Sequence, residues 1–153
     1  MNIAVFFGGR SCEHDISIIT GVQVLNALGD GYRVLPVYMK DGGFYTSDLM
    51  SDVGFFENPN LKKATRIWLI DGSFYTRKGM LLLKKETPDV ALICCHGGEG
   101  ENGVLQGFLE YNGVPYTSAG LIASSVCMDK SIAKQLLDGL MLNTMPSITV
   151  HRS

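Results

Sequence analysis

Two glycine-rich stretches hold the residues whose types and spacing could do chemistry. The first, FFGGRSCEHD, sets Glu13 and His14 a few positions after Gly8-Gly9. The second, CCHGGEGENG, sets His96, Glu99, Glu101 and Asn102 among four glycines. Each follows an apolar run, so each is expected at a strand end, where open α/β sheets collect ligands. A phosphate cradle is the usual chemistry of a glycine-rich strand-to-helix turn. Here the residues argue against it. No GxxxxGKS or GxxxxGKT is present, and the first turn lacks GxGxxG. Gly98–Gly103 spells GxGxxG, but its variable positions are Glu99, Glu101 and Asn102, and two carboxylates beside a polyphosphate would repel it. An acidic loop with exposed amides suits a zwitterion better: carboxylates meet an ammonium, while imidazole and backbone N–H groups meet a carboxylate. A small amino acid is the ligand these loops suggest.

Each of these residues also has a purely structural reading. Glu13 and Asp15 would favour the positive end of a helix by about 0.3–1 kcal/mol. Glu101 could accept from amides of its own loop. His96, ending an apolar strand, could be a satisfied core histidine, and His14 reads as solvent-facing. Lys130 in MDKSIAKQLL would by default be a solvated helix lysine, and His151 sits too near the terminus to interpret.

The elements that must position these residues follow βαβ grammar. Asn2–Phe7 is a continuous apolar run, as expected for a strand covered on both faces. A helix begins near Glu13, with Ile18, Val22 and Leu25 on its apolar stripe and Ile19 and Leu28 widening it; Gly29 and Gly31 end it. Arg33–Met39 is a second strand, where Pro36 implies an edge or irregular position. From Lys40 to Lys85, short strands joined by Asp-Gly and Lys-Gly turns predict a hairpin or meander. The stretch SDVGFFENPNLKKA within it reads as loop with at most a helical turn. Val90–Cys95 is a buried strand and Val104–Asn112 a helix with Val104, Leu105, Phe108 and Leu109 on one side. Pro115–Thr117 is a short strand. Ser124 or Ser125 would cap a helix carrying Val126, Ile132, Leu136 and Leu137 to Gly139, and Met145–Val150 would be a last strand. The fold class is therefore α/β: an open, mainly parallel sheet with helices on both faces and a strand-rich insertion in the middle.

Bulk properties narrow the function classes. With 153 residues the chain is one domain, or one plus a piece of another. A formal net charge of −2, with no basic stripe, gives no electrostatic reason for nucleic acid or a membrane surface. The apolar start is too short for a signal peptide or a spanning helix, so the chain is read as cytoplasmic. Cys12, Cys94, Cys95 and Cys127 show no zinc spacing and are read as reduced thiols.

In combination the motifs are far more specific. FFGGRSCEHDISIITG, CCHGGEGENGVLQGFLEYNGVPYTSAG and ASSVCMDKSIAKQLL resemble the D-alanine–D-alanine ligases, whose patterns run GGxSxEHEVS, HGxxGEDGxxQGxLExxxIPYTG and SAxxMDKxxxK in the same order. The resemblance covers Asn2 to about Met39 and Pro88 to Val150. It implies a Rossmann-like pre-ATP-grasp domain over residues 1–122 and the beginning of a central ATP-grasp domain over 123–153. It implies an ATP- and Mg²⁺-dependent ligase that joins two D-alanines through an acyl phosphate for peptidoglycan precursors. By motif position Glu13 is the catalytic, substrate-binding glutamate near the first D-alanine's ammonium. His96 lines the same site, Glu101 helps organise it across the domain junction, and Lys130 reaches the nucleotide. No metal ligand falls within the matched motifs. Asn102, Asp15 and Ser118 depart from the pattern, where aspartate, glutamate and glycine are usual. Asn102 removes a charge, so a role needing a carboxylate there is not carried over.

The family's chains are much longer, and its phosphate-covering loop and magnesium carboxylates lie downstream. The expectation is thus an N-terminal portion, inactive by itself and binding no cofactor, that forms a homodimer. Two alternatives remain at this point: a stand-alone D-amino-acid-binding module, and part of a D-alanyl-D-lactate or D-alanyl-D-serine ligase.

Overall fold

The computed structural model describes residues 1–57 and 61–150; His151 lies outside them. Strand β1 (Asn2–Gly8) leads through Gly9–Glu13 into helix α1 (His14–Leu28), and β2 (Arg33–Lys40) follows. A meander comes next: β3 (Gly43–Thr46), β4 (Thr65–Ile70), β5 (Ser73–Lys78) and β6 (Leu81–Glu86). The chain then returns through β7 (Val90–Ile93), α2 (Val104–Tyr111), β8 (Tyr116–Thr117), α3 (Leu121–Met128) and α4 (Lys130–Gly139). Among the described residues, all eight strands form one sheet, ordered β6-β5-β4-β3-β2-β1-β7-β8. The half that carries the glycine loops, β2-β1-β7-β8, is parallel. The meander extends it antiparallel from β2.

β1 is the axis because its side chains are apolar on both faces. Ala4 and Phe6 join Leu105 and Leu109 of α2 in one core cluster. Ile3, Val5 and Phe7 join Ile18 and Val22 of α1 in the other. Fully burying a side chain such as Phe6 or Phe7 contributes about 1.5–3 kcal/mol, and both are 0% exposed. Gly21 lets α1 approach this closely, since a Cβ there would overlap the Phe7 ring.

The Asp-Gly turns form as expected: Asp41-Gly42 and Asp71-Gly72 all have positive φ, the geometry that tight hairpins need. Pro36 lies in an interior strand rather than at a sheet edge. It pairs with Val5, and β3 begins to pair β2 only at Tyr38, so Pro36 stands beyond that ladder. Among the described residues, SDVGFFENPNLKKA holds two short 3-10 turns, Val53–Phe56 and Leu61–Lys63, rather than one, and a further turn, Asp48–Ser51, leads into it. Met50 is fully buried, and Phe56 packs edge-on to Phe7 and Tyr38.

Several expectations are corrected. Ser124 and Ser125 lie inside α3, and the helix breaks at Asp129, whose extended backbone and carboxylate cap α4 by accepting from Ser131 and Ile132 N–H. Residues 145–150 form no strand. They run beside α4, where Lys134 donates to the Met145 carbonyl (2.6 Å) and Ser131 meets Thr149 (3.2 Å). Val104 is 61% and Ile19 43% exposed, each rotated off the packed stripe of its helix. His14 is half-buried rather than solvent-facing. All four cysteines are free thiols; burial pushes Cys94 up to about 11, and burial first, then the Cys94 charge, pushes Cys95 to about 12.

Candidate amino-acid site

The register of β1 and β7 decides where the chemistry gathers. Ile3 pairs with Val90 and Phe6 with Ile93 in parallel, so the loops after both strands emerge side by side at one sheet end. Ser17 ties the two exits together. Its buried hydroxyl accepts from Gly8 N–H (2.8 Å) and donates to the Cys94 carbonyl (3.0 Å). Ser11 adds a second tie by donating to the His96 carbonyl (2.5 Å) and accepting from Glu13 N–H (3.1 Å). Glu99 makes a third, accepting from Arg10 N–H (3.0 Å) with the Arg10 Nε 3.4 Å away.

Glu13 precedes the first turn of α1, and its carboxylate is exposed directly over Gly97. A Cβ at Gly97 would stand 2.8 Å from Glu13 Oε2, and the positive φ of 65° there favours glycine independently. His96 is half-buried, with Nε2 2.9 Å from Thr20 Oγ1 of α1. That contact fixes the ring and leaves Nδ1 without a hydrogen bond among the described residues. Glu13 and His96 are thus brought together.

Glu101 is placed differently. It is exposed, and its side chain makes no hydrogen bond among the described residues; Glu99 is the carboxylate that accepts an amide, that of Arg10 in the other glycine loop. Glu101 borders a cleft of about 440 Å³ between the glycine loop and α3, with Cys95, Ser118, Ser124 and Cys127. Gln106 also lines it; its Nε2 holds the Gly100 carbonyl (2.8 Å), and its buried Oε1 has no partner among the described residues. Ser125 donates to the Asn102 carbonyl (2.9 Å), fastening α3 to the loop. Lys130 is exposed at the start of α4, with no hydrogen bond or ion pair to Glu13, His96 or Glu101. Among the described residues no three metal-ligating side chains converge, and no helix is long and apolar enough to cross a membrane.

Ser11, Thr20 and Glu99 also organise this site, though none is among the residues that the sequence assigns a role in it. Ser11 is the serine of the GGxSxEHEVS pattern and Glu99 lies in the acidic glycine loop, whereas nothing in the sequence marks Thr20.

A sequence model of the D-ala D-ala ligase N-terminus matches residues 2–119. The chain belongs to this family. Among curated ligases it is 39% identical over 145 residues to the D-alanine–D-alanine ligase of Thermosipho melanesiensis, covering 90% of this chain and 39% of that one. It is 40% identical over 139 residues to the corresponding ligase of Leptospira interrogans, covering 88% of this chain and 38% of that one. The chain therefore spans about two fifths of the length of the ligases it matches. The solved D-alanine–D-alanine ligase of Helicobacter pylori superposes with a TM-score of 0.83 at 25% identity, covering 95% of this chain and 46% of that one. A D-Ala:D-Ser ligase of Enterococcus faecalis superposes with a TM-score of 0.73, also at 25% identity, covering 90% of this chain and 41% of that one. The ligase N-terminal fold thus accounts for the parallel half of the sheet and for the meander in one architecture.

Proposed function

We propose that this chain is the amino-acid-holding N-terminal portion of an ATP-dependent ligase that joins two D-alanines for peptidoglycan precursors in the cytoplasm. One observation carries the reading: an exposed carboxylate, Glu13, is held against Gly97 beside the half-buried His96, at the ends of two adjacent parallel strands. In this reading Glu13 takes the ammonium of the first D-alanine. His96 and the amides of its loop face the carboxylate, which must be oriented for attack on phosphorus. Positioning and electrostatics supply most of the rate in such chemistry. Glu101 acts across the cleft toward α3, the helix within which the proposed boundary between residues 1–122 and 123–153 falls. Lys130 extends from the start of α4 toward the nucleotide. ATP supplies the phosphoryl group that activates the first carboxylate, and the second amine displaces phosphate from it. Of the nucleotide's contacts, these residues offer Lys130. Among the described residues no carboxylates converge to hold Mg²⁺, and the chain by itself is proposed to be inactive.

The experiment is a titration of the ¹⁵N-labelled chain with D-alanine and with L-alanine. D-alanine is expected to shift the amides of Gly9–Glu13 and His96–Glu101 with millimolar affinity, and L-alanine more weakly. Shifts elsewhere, or none at any concentration, would overturn the reading. The likeness to a D-Ala:D-Ser ligase favours a second reading in which only the second amino acid differs; the same titration applies, because the first site is shared.

Homodimerisation is proposed through the exposed apolar face of α4, where Ile132 is 49%, Leu136 54% and Leu140 61% exposed. Light scattering should give a mass above the monomer's that falls with dilution. A monomer mass at every concentration would contradict it.

A further inference from the structure

His14 follows Glu13 directly and is the first residue of α1, yet its side chain turns back toward the sheet. Nδ1 lies 2.6 Å from the Gly9 carbonyl, and Nε2 lies 3.0 Å from the Tyr38 hydroxyl. A carbonyl oxygen can only accept, so Nδ1 carries the proton. In the neutral ring Nε2 then accepts, and the phenol O–H donates to it. Tyr38 is an immovable post: it is 1% exposed on β2, with its ring against Phe7 and Phe56. Burial, followed by the charges of Asp41 and Asp15, pushes its phenol up to about 12, so it remains a donor at neutral pH. Its hydroxyl has no other partner among the described residues. The Gly9 N–H is fixed separately by the Met39 carbonyl (2.9 Å).

We propose that His14 is a positioning residue: as the Nδ1–H tautomer it ties the Gly9 carbonyl to Tyr38 and so fixes the Gly9–Glu13 loop that presents Glu13 to substrate. The imidazole closes the loop between residues 9 and 14 and ties its carbonyl side to Tyr38 of β2, the strand whose Met39 carbonyl already holds the Gly9 N–H. Thr20 does the corresponding service for His96 from the next turn of α1. The substrate half of this inference rests on the reading of Glu13 given above; the tautomer and the loop order do not.

Nitrogen-15 shifts of the labelled ring in the intact chain read the tautomer directly. At a pH where the ring is neutral, His14 should show a protonated Nδ1 and a bare Nε2. The Nε2–H form overturns the proposal. Order parameters of the Gly9–Cys12 amides are the second readout. They should stay near ~0.85 in the wild type and in His14→Asn, whose amide can replace the Nδ1–H donor, and drop below ~0.6 in His14→Ala. D-alanine affinity should fall about tenfold in His14→Ala, the worth of one ordered hydrogen bond, and recover to within about threefold in His14→Asn. Loop order and affinity unchanged in His14→Ala would overturn the proposal. If His14→Ala does not fold, Tyr38→Phe removes the far end of the tie and should lower the Gly9–Cys12 order parameters while Nδ1 stays bonded to Gly9; unchanged order parameters overturn it. If the wild type binds no D-alanine, the substrate reading falls by itself, while tautomer and order parameters still decide the role of His14.

Discussion

Replacing Glu13 by glutamine is expected to weaken D-alanine binding by roughly 10- to 150-fold, the equivalent of about 1.5–3 kcal/mol for a hydrogen bond to a charged group. The glutamine keeps the side chain's length, and the lost charge costs the fold at most the helix-end contribution of about 0.3–1 kcal/mol. Glu13 makes no ion pair among the described residues, and the bonds that fix its backbone use Ser11 and the Ser17 N–H. Thermal stability should therefore stay close to that of the wild type. The affinity loss is read by titration of both proteins with D-alanine. Equal affinity would remove Glu13 from the site. Equal loss of affinity and stability would make the residue structural, in line with its place at the positive end of α1.

The second large effect is on folding. Gly8 ends β1 with φ at +91°, and an added Cβ would stand 2.6 Å from the Met39 carbonyl oxygen and 2.9 Å from the Tyr38 ring. Neither neighbour can give way, since that carbonyl also accepts from Gly9 N–H and the ring is packed in the core. Gly8→Ala is expected to cost about 2–5 kcal/mol, combining about 1–2 for the left-handed backbone with about 1–3 for overpacking. In a chain of this size that is a fall in Tm of roughly 5–20 °C, measured by calorimetry or circular dichroism. A fall below about 2 °C would mean that the strand end relaxes at little cost. Gly42, with open space around its missing Cβ, makes the comparison site where only the backbone term applies.

These two positions also show what the residue order makes legible. β1, α1, β2, β7 and α2 could be read because each is marked by unbroken apolar runs or by a helical stripe that glycine stops. The Asp-Gly turns could be read because only certain residues accept positive φ at both central positions. What could not be read depends on partners distant in sequence. The stretch around Phe56 has no periodicity, and only the meeting of Phe7 and Tyr38 from two strands makes it core. Met145–Val150 has strand-like residues, but a strand needs a neighbour for its backbone groups, and β8 pairs only with β7. The same holds in the site. Glu13 and His96 stand out as candidates by their spacing from glycines. The choice between Glu99 and Glu101 as the loop's anchor does not, because it turns on where Arg10 N–H comes to lie. In the sequence His14 is a polar residue at a helix start, and its inward turn depends on Tyr38, which lies 24 positions away.

The central claim is that the two glycine loops form the amino-acid side of a D-alanine-joining site. Its most direct test is made in the full-length protein of which this chain is proposed to be the N-terminal portion. Phosphate release from ATP with Mg²⁺ should require D-alanine, yield D-alanyl-D-alanine, and collapse in Glu13→Gln. Phosphate release that ignores D-alanine, or a Glu13→Gln protein as active as the wild type, would contradict the account.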